Sequence, residues 1–313
     1  MRPVLSVIIL SYNRLECLRR NLPSILGGFQ QYEYEVVVVD NASSDGSVDF
    51  LRGLKAHFPE LSLHLNGANL GPGGGRNVGL RAAKGEYVFC LDDDSMLDAA
   101  DIAKIPNYFQ TFPDAGILAF RIWDTSLGRY LNDLGETPTS KIANFGAAGF
   151  AIRSELLRRI GYMDDLCTFG AEELDFSIRA HAAGFTTLYL PRPTVRHYRS
   201  TFNGRASLAR DEKWVFNFMR VLFKHFPRPM SDVFACRLFL SQLRTGLRNH
   251  GVKVTKRLCL CAYSGVKAGL ATYAHMPSST IRFYQDPDLR PEYGNVPFVR
   301  KIHKIRLKSL NDY

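Results

Sequence analysis

The sequence predicts an α/β fold, in which a mostly parallel, Rossmann-like sheet with flanking helices is followed by a helical C-terminal extension. Apolar runs of strand length alternate with segments of helical spacing through the first 200 residues. This alternation is typical of a parallel sheet covered by helices. Beyond Ser200 the apolar spacing is almost wholly helical. We therefore divide the chain into an α/β domain, residues 1–200, and a helical region, residues 201–313.

The strands and helices follow one another in a regular order along the chain. Strands are predicted at Val4–Leu10, Glu35–Asp40, Leu61–Leu65, Glu86–Asp92, Gly116–Trp123 and Thr186–Leu190. Helices are predicted at Arg14–Leu26, at Gly46–Phe58, after a glycine-rich loop, after Asp94, at Glu173–Ala183, and at Leu208–Phe226, Val233–Leu247 and Leu258–Tyr273. The final forty residues, rich in Pro and charge, are expected to be extended.

Composition indicates a globular chain of 313 residues, with 46% hydrophobic and 22% charged residues. The six cysteines are scattered and lack the spacing of a zinc site, so we expect reduced, intracellular thiols. Neither a signal-peptide pattern nor an apolar run of the ~20 residues that span a membrane is present. We expect a cytoplasmic protein, either free or peripheral on the inner face of the membrane.

Charge is distributed unevenly between the two predicted parts. Residues 201–313 contain 20 Lys and Arg against 7 Asp and Glu, whereas residues 1–200 contain 20 against 23. A basic helical region is compatible with an anionic membrane surface or an acidic acceptor. A solvated helical face or a homodimer contact explains it equally well.

Three consecutive carboxylates, Asp92, Asp93 and Asp94, directly follow an apolar run. In open α/β sheets ligands gather beyond the carboxyl ends of the strands. Adjacent acids repel one another unless a cation keeps them ionised. Carboxylate oxygens suit Mg²⁺ or Mn²⁺ carrying a phosphate ligand. The alternative is that an Asp caps a helix beginning at Ser95, but three acids in a row favour the metal.

Polar residues also follow the first two strands. Ser11, Asn13 and Arg14 come after strand one, and Asp40 ends strand two. An Asp at a strand end can accept a hydrogen bond from the N–H of uracil or thymine. The segment Asn41–Gly46 is also what a tight turn requires. We therefore assign that segment mainly to turn chemistry and Asp40 to a nucleobase.

The segment Asn69–Gly79 is rich in glycine and is expected to contact a nucleotide. It lacks the Gly-Lys-Ser/Thr end of a Walker motif, and it does not follow the first strand as a dinucleotide fingerprint would. It nevertheless opens a helix, whose N-terminal N–H groups attract anions. The residues we expect to contact the nucleotide are Asn69, Gly71, Arg76 and Asn77.

Together, four motifs resemble those of the family 2 glycosyltransferases of the GT-A fold, of the bacterial type that builds polysaccharides and glycolipids. They are Ser6–Arg14, Val38–Gly46, Asn69–Gly79 and Leu91–Asp94. The resemblance covers residues 4 to about 200. It implies that Asp40 binds the nucleobase, that Asp92 contacts the ribose and the metal, and that Asp94 is the principal metal ligand.

The resemblance also implies an inverting transfer, which needs a general base to remove the proton of the acceptor hydroxyl. In the family the second acid of a pair has this role, and here it is Glu173. Because this chain has Glu where the family usually has Asp, Glu172 is an alternative to Glu173 as the base. Acids also favour a helix N-terminus. We expect only that role for Asp175, with Arg179 as its i,i+4 partner.

Two further residues are assigned to the site. His197 stands where related enzymes place a histidine that completes the metal shell, and imidazole would favour Mn²⁺ over Mg²⁺. A structural histidine is the other interpretation. Gly149 is expected to let a sugar approach the backbone.

We therefore predict a metal-dependent, inverting hexosyl- or deoxyhexosyltransferase. Its donor is a UDP, dTDP or GDP sugar, and its acceptor is a saccharide or lipid-linked saccharide, with no nucleic acid as partner. A sugar-1-phosphate nucleotidyltransferase is an alternative, but the segment Ser11–Arg14 lacks the glycine-rich loop that such enzymes carry after strand one. The second alternative is a non-catalytic binding scaffold with a GT-A-like fold.

Overall fold

The computed structural model describes residues 3–32, 34–131, 134, 139–198 and 207–286. The chain forms two compact units. Within the described ranges, the first unit comprises residues 3–198 and 276–286, and the second comprises residues 207–275.

The first unit is built on a ten-stranded sheet with helices packed on it. Its strands are β1 Leu5–Ser11, β2 Tyr34–Asp40, β3 Ser62–Leu65, β4 Tyr87–Asp92, β5 Ser95–Met96, β6 Ala115–Asp124, β7 Arg129–Leu131, β8 Ser140–Lys141, β9 Gly149–Arg153 and β10 Thr186–His197. Its helices are α1 Leu15–Gln31, α2 Ser47–His57, α3 Gly71–Ala82, α4 Ala99–Ile102, α5 Ile105–Thr111, α6 Ser154–Ile160, α7 Glu172–Ala182 and, near the C-terminus, α11 Ser278–Gln285.

The sheet confirms the predicted α/β class. Its strand order is β3-β2-β1-β4-β9-β6-β10-β5, with β7 beside β6 and β8 beside β10. The first four strands pair in parallel, as do β6 and β10. Strand β9 runs antiparallel between β4 and β6. The carboxyl ends of β1, β2, β4, β6 and β10 carry polar residues, which are Ser11, Asp40, Asp92, Asp124 and His197.

Two apolar cores cover the two faces of the sheet, because successive strand side chains point to opposite sides. In β1, Val7 and Ile9 belong to the core that includes α1, α4 and α5, whereas Ile8 belongs to the core that includes α3, α6 and α7. Helix α1 buries Leu18, Leu22, Ile25 and Leu26, which lie on one face at helical spacing. The sheet is therefore buried on both sides, as its continuous apolar strands predict.

The alternative in which an acid of the Asp92–Asp94 run caps a helix at Ser95 is excluded, because Ser95 and Met96 form strand β5 beside β10, and the predicted helix after Asp94 begins at Ala99. Three predictions of local structure were wrong. The glycine-rich segment is already helical from Gly71. Strand β10 continues to His197 past an irregularity after Leu190. Of the final forty residues, 278–285 form α11, and the part of that prediction covering 287–313 lies outside the described residues.

The second unit consists of helices α8 Leu208–His225, α9 Met230–His250 and α10 Val254–Ala271, close to the predicted segments. Helices α8 and α10 pack closely through Gly265 and Gly269 of α10. A Cβ atom at Gly265 would lie 2.4 Å from the backbone oxygen of Phe216, and one at Gly269 would lie 2.5 Å from that of Arg220. These glycines let the two helix backbones approach each other.

Neither membrane spans nor disulfides are found in the described chain. None of its helices is at once long and apolar enough to cross a bilayer. All six cysteines are free thiols.

Replacing Gly265 tests the close packing of the second unit. The variant Gly265→Ala should lower the free energy of unfolding by about 2 kcal/mol, because its methyl group overlaps the α8 backbone. Urea denaturation followed by circular dichroism measures this change. The matched control is Gly53→Ala in α2, where a Cβ atom meets nothing within 4 Å. This substitution should stabilise the protein by about 0.5–1 kcal/mol, because alanine favours the helix more than glycine does. A Gly265→Ala protein as stable as the wild type would contradict this packing.

Candidate functional site

Three parallel strands bring their terminal polar residues together at one edge of the sheet. Ser11 of β1 pairs in register with Asp40 of β2, and Leu10 pairs with Asp92 of β4. Because the strands are parallel and in register, these ends are neighbours. The residues that the sequence places after strands one, two and four therefore meet, as predicted from the strand pattern.

Asp40 is fully buried, and its two carboxylate oxygens have different environments. Oδ1 accepts a hydrogen bond of 2.8 Å from the backbone N–H of Ser43, which belongs to the predicted turn chemistry. Oδ2 is buried and has no hydrogen-bond partner among the described residues. An unpartnered buried carboxylate oxygen is costly, and a ligand N–H directed at it would remove that cost.

The loop after β1 carries Arg14 to the acidic run. Its guanidinium forms an ion pair with the Asp94 carboxylate, and its Nη1 lies 3.8 Å from Oδ1 of Asp93. Asn13 fixes the loop in a left-handed conformation, with φ of 52°. The Asn13 side chain accepts a 2.7 Å hydrogen bond from the N–H of Ser44. Asn13 therefore joins the loops after β1 and β2, while Arg14 faces the carboxylates.

Asp93, the central acid of the run, is buried. Burial raises its pKa to about 7, against the opposing effect of the Arg14 charge. Its Oδ2 accepts a 3.4 Å hydrogen bond from the N–H of Tyr12, and its backbone oxygen accepts one of 2.7 Å from Asn21 of α1. Asp93 thus fastens the run to the loop after β1 and to α1.

Asp94 and His197 lie side by side at the ends of β4 and β10. Oδ1 of Asp94 is 3.2 Å from Nε2 of His197. The other ring nitrogen, Nδ1, lies 3.8 Å from Oδ2 of Asp124. Asp124 ends β6 and is completely buried, and its Oδ1 accepts hydrogen bonds from Ser126 and Leu127. The imidazole ring of His197 therefore lies between two carboxylates.

Asp124 is the residue that sequence reasoning missed. The signal was present, because the apolar run Ala115–Asp124 ends on an acid just as β2 ends on Asp40 and β4 on Asp92. In the fold it stands in register with His197 across the β6 and β10 pair.

A second charged cluster surrounds Arg76 of α3. This arginine is 3% exposed, and its Nη2 donates a 2.5 Å hydrogen bond to Oδ1 of Asp92. Although burial alone lowers the pKa of the guanidinium, the negative charges of Asp92, Glu173 and Glu172 outweigh it and raise that pKa above its usual value. Arg76 is thus the shared cation of three carboxylates.

Glu172 and Glu173 form the first turn of α7. Two residues in the left-handed conformation, Gly170 with φ of 78° and Ala171 with φ of 71°, lead into the helix. Burial and the neighbouring Glu173 raise the pKa of Glu172 to about 8, and burial also raises the pKa of Glu173. Both effects are opposed by Arg76. Because the two carboxyl groups interact, they release their protons as a pair and not independently.

The two glutamates differ in exposure. Glu172 is 3% exposed, and its Oε2 is buried without a hydrogen-bond partner in the described structure. Glu173 is only partly buried, so it is the one that a second substrate can reach. The predicted pair of Asp175 and Arg179 is confirmed, with Nε of Arg179 2.7 Å from Oδ2 of the fully buried Asp175.

The glycine-rich segment mainly packs against the loop before α7. A Cβ atom at Gly71, whose φ is +75°, would lie 2.4 Å from the backbone oxygen of Thr168. The Asn77 side chain donates to the oxygen of Met163 and to Asp165, and accepts from the N–H of Met163. Asn69 accepts hydrogen bonds from Asn41 and from the N–H of Gly71. These predicted donor contacts therefore carry internal structural roles.

Gly149 also has a packing role. A Cβ atom there would lie 2.8 Å from Cγ2 of Val195, so the missing side chain makes room for β10. This contact accounts for the glycine, and the approach of a sugar to its backbone stays a prediction.

Asp94 and His197 fit a divalent cation. No three His, Cys, Asp or Glu side chains of the described ranges form a group that could hold a metal ion. However, Oδ1 of Asp94 and Nε2 of His197 are 3.2 Å apart, which suits two ligands each about 2.1 Å from one cation. Mg²⁺ and Mn²⁺ commonly use few protein ligands besides water and phosphate. Asp92, the expected additional ligand, forms an ion pair with Arg76 in this structure, and its contact with a metal stays a prediction.

Comparison with known proteins identifies similar sequences over most of the chain. A sequence profile described as Glycosyl transferase family 2 matches residues 6–153, and one described as Glycosyl transferase family group 2 matches residues 87–277. An uncharacterized glycosyltransferase of Nostoc sp. is 35% identical over 114 residues, which are 36% of this chain and 35% of that protein. The matches span only 24–42% of the length of the first three curated relatives.

Solved structures share the fold. Residues 1–349 of S. aureus TarS in complex with UDP-GlcNAc are 18% identical, with a TM-score of 0.63, covering 88% of this chain and 82% of that one. The mannosyltransferase PcManGT from Pyrobaculum calidifontis, in complex with GDP-Man and Mn²⁺, is 18% identical, with a TM-score of 0.55 and coverage of 87% and 86%. These neighbours confirm the predicted GT-A fold.

The buried glutamate pair predicts a specific pH dependence of stability. The unfolded chain releases the Glu172 proton near pH 4.5, whereas the folded protein keeps it until about pH 8. The free energy of unfolding therefore falls as the pH rises between these values. In Glu172→Gln, which cannot ionise, the fall between about pH 5 and pH 8 should shrink by on the order of 2 kcal/mol.

Urea denaturation at both pH values, without added metal, measures this change. The control is Glu155→Gln, a glutamate 42% exposed on α6, which should keep the wild-type pH dependence. A Glu172→Gln protein with the same pH dependence as the wild type would show that Glu172 is ionised in the folded state.

Proposed function

Because the chain belongs to glycosyl transferase family 2, we propose that it transfers a sugar from a nucleotide-diphosphate sugar to a hydroxyl group of an acceptor. The acceptor is a saccharide or a lipid-linked saccharide, and the transfer inverts the anomeric centre and depends on a divalent metal. The observation that supports this most strongly is the meeting of buried carboxylates and two arginines at the strand ends. Nucleotide sugars are bound by the TarS and PcManGT neighbours.

The donor end of the proposed site rests on Asp40 and Asp92. The unpartnered Oδ2 of Asp40 would accept the N–H of the base, which favours uracil, thymine or guanine, since each has a ring N–H. Asp92 ends β4, which is separated from β2 and Asp40 by strand β1. With 27% of its side chain exposed, it would contact the ribose. Ser11, Asn13 and Arg14 line the same edge.

Asp94 and His197 would hold the metal. A bound Mn²⁺ or Mg²⁺ would neutralise the charge that develops on the leaving diphosphate. In this structure the Asp94 carboxylate is paired with Arg14, so cation binding requires Arg14 to give up part of that contact. A freed guanidinium beside the metal is suited to a phosphate oxygen.

Glu173 is the proposed general base. It would accept the proton of the acceptor hydroxyl as the hydroxyl oxygen forms its bond to the anomeric carbon and the nucleoside diphosphate leaves with the former bonding electrons. Its partial exposure gives it access to the acceptor, which the buried Glu172 lacks. Burial raises the pKa of Glu173, which makes its carboxylate a stronger proton acceptor, and Arg76 opposes this effect and favours the ionised form.

Nucleotide binding tests the donor site. Calorimetric titration with UDP, dTDP and GDP, each with and without Mn²⁺, should show one nucleotide that binds at least tenfold more tightly with the metal. In Asp94→Ala this effect of the metal should disappear, because the variant lacks the carboxylate that would bind the cation. Asp49→Ala, whose side chain is 87% exposed on α2, is the control and should bind like the wild type. If none of the three nucleotides binds under any condition, the proposed donor site is wrong.

Substitution of the two glutamates tests the base. The donor in this assay is a sugar derivative of the nucleotide that binds in the titration. Glu173→Gln should lower the rate of nucleoside diphosphate release about 10²–10⁴-fold and leave the affinity for the donor unchanged. Glu172→Gln should retain more activity, because Glu172 is enclosed. The reverse order of effects would assign the base to Glu172, and equal activity of both variants and the wild type would exclude this mechanism.

A further inference from the structure

The outward face of α10 carries a continuous stripe of apolar and basic side chains. We call it the α10 stripe; it consists of Lys256, Leu260, Tyr263, Lys267 and Leu270. Their spacing of four, three, four and three residues places all of them on one side of the helix. The opposite side contains the buried residues Val254, Leu258, Gly265 and Gly269. The stripe therefore points away from the interior of the second unit.

The apolar members of the stripe are strongly exposed. Tyr263 is 69% exposed, Leu260 56% and Leu270 48%, and Val252, just before the helix, is 81% exposed. Helix α9 likewise exposes Leu240 and Leu247. Exposed apolar side chains that recur along one helix face mark an interaction surface.

Charge on this part of the chain has a single sign. Between Val233 and Gln285 the sequence contains eight Lys and Arg and no Asp or Glu. Neither Lys256 nor Lys267 forms an ion pair with a carboxylate of the described residues, and the same is true of Arg244 and Arg248 on α9. A partner for this surface must therefore supply negative charge as well as an apolar phase.

We propose that the α10 stripe binds the surface of an anionic lipid bilayer. A helix lying in the interfacial plane buries its leucines and aromatic side chains among the acyl chains near the headgroups. Its lysines extend along the apolar surface and place their ammonium groups at the lipid phosphates. Leucine, tyrosine and lysine alternate along the stripe in the way that this arrangement needs.

A second copy of the chain fits the stripe less well. In a symmetric dimer the same face is used by both subunits, so stripe would meet stripe. Lys256 and Lys267 would then face other lysines, because the α10 stripe contains no carboxylate and the nearby Glu212 is paired with Arg257. Like charges across an interface are unfavourable. Free nucleic acid would contact the cations but leave Leu260 and Leu270 in water.

This inference goes beyond the proposed transferase activity and is tested without it. Bilayer binding would bring the chain to the surface where a lipid-linked acceptor lies, but vesicle binding is measured with neither donor nor acceptor. Failure of one proposal therefore leaves the other standing.

Vesicle flotation of the full chain tests the stripe. We expect binding to vesicles of phosphatidylcholine with about one third phosphatidylglycerol, and at least tenfold weaker binding to phosphatidylcholine alone. Leu260→Glu with Tyr263→Glu should abolish flotation, and Lys256→Glu with Lys267→Glu should weaken it by about tenfold or more. The control is Leu166→Glu, which removes a leucine 66% exposed in the first unit and should float like the wild type.

Three results would overturn the proposal. They are absence of flotation in the wild type, unchanged flotation in both double variants, and a wild-type dimer that the Leu260 and Tyr263 variant converts to a monomer without any vesicle binding. Thermal unfolding of each variant shows whether it is folded; the sites are exposed, so melting should stay close to that of the wild type.

A fluorescent probe gives an independent result. Cys259 is exposed beside the stripe, and replacing Cys236 and Cys261 by Ser leaves it as the accessible thiol, since the other three cysteines are buried. An environment-sensitive dye on Cys259 should shift to shorter wavelength with anionic vesicles only. Flotation without this shift would assign membrane binding to another part of the chain and overturn the role of α10.

Discussion

The site depends on one electrostatic constraint, which is that carboxylates at the edge of an apolar sheet need fixed cations beside them. Arg76 serves Asp92, Glu172 and Glu173, and Arg14 serves Asp93 and Asp94. Without these two guanidinium groups the acids would repel one another in a region where burial already opposes ionisation. The two arginines compensate the negative charge only in part, because the pKa values of Asp93 and Glu172 stay raised. The site is therefore short of positive charge.

Glycine packing determines where the Arg76 guanidinium stands. A Cβ atom at Gly79 would lie 2.5 Å from Ile8, and one at Gly75 would lie 2.6 Å from Leu10, so α3 can approach β1 only with glycine at these positions. This close approach brings Arg76 to Asp92 at the end of the adjacent strand β4. Gly71 and Asn77 of the same helix fasten the loop that leads into α7 and its two glutamates. One glycine-rich segment thus links the proposed donor and acceptor acids through packing, without a Walker-type loop.

Features that depend on local pattern were predictable from the sequence, and features that depend on distant contacts were not. The strand runs, the acids at their ends and the Asp175–Arg179 pair follow from periodicity and spacing. The roles of Asn77 and Gly149 depend on Met163 and on Val195, which are far away in the sequence. The antiparallel strand β9 and the strand at Ser95 are likewise set by their neighbours in the sheet. Asp124 was predictable in principle, because it ends an apolar run as Asp40 does.

The most direct test of the proposed donor site is a crystal structure of the chain with Mn²⁺ and the nucleoside diphosphate that binds it. Anomalous scattering locates manganese without reference to the protein model. The account predicts a manganese peak about 2 Å from both the Asp94 carboxylate and Nε2 of His197, with a base N–H directed at Oδ2 of Asp40. Manganese bound away from this pair, or a nucleotide bound elsewhere than the ends of β1, β2 and β4, would contradict it.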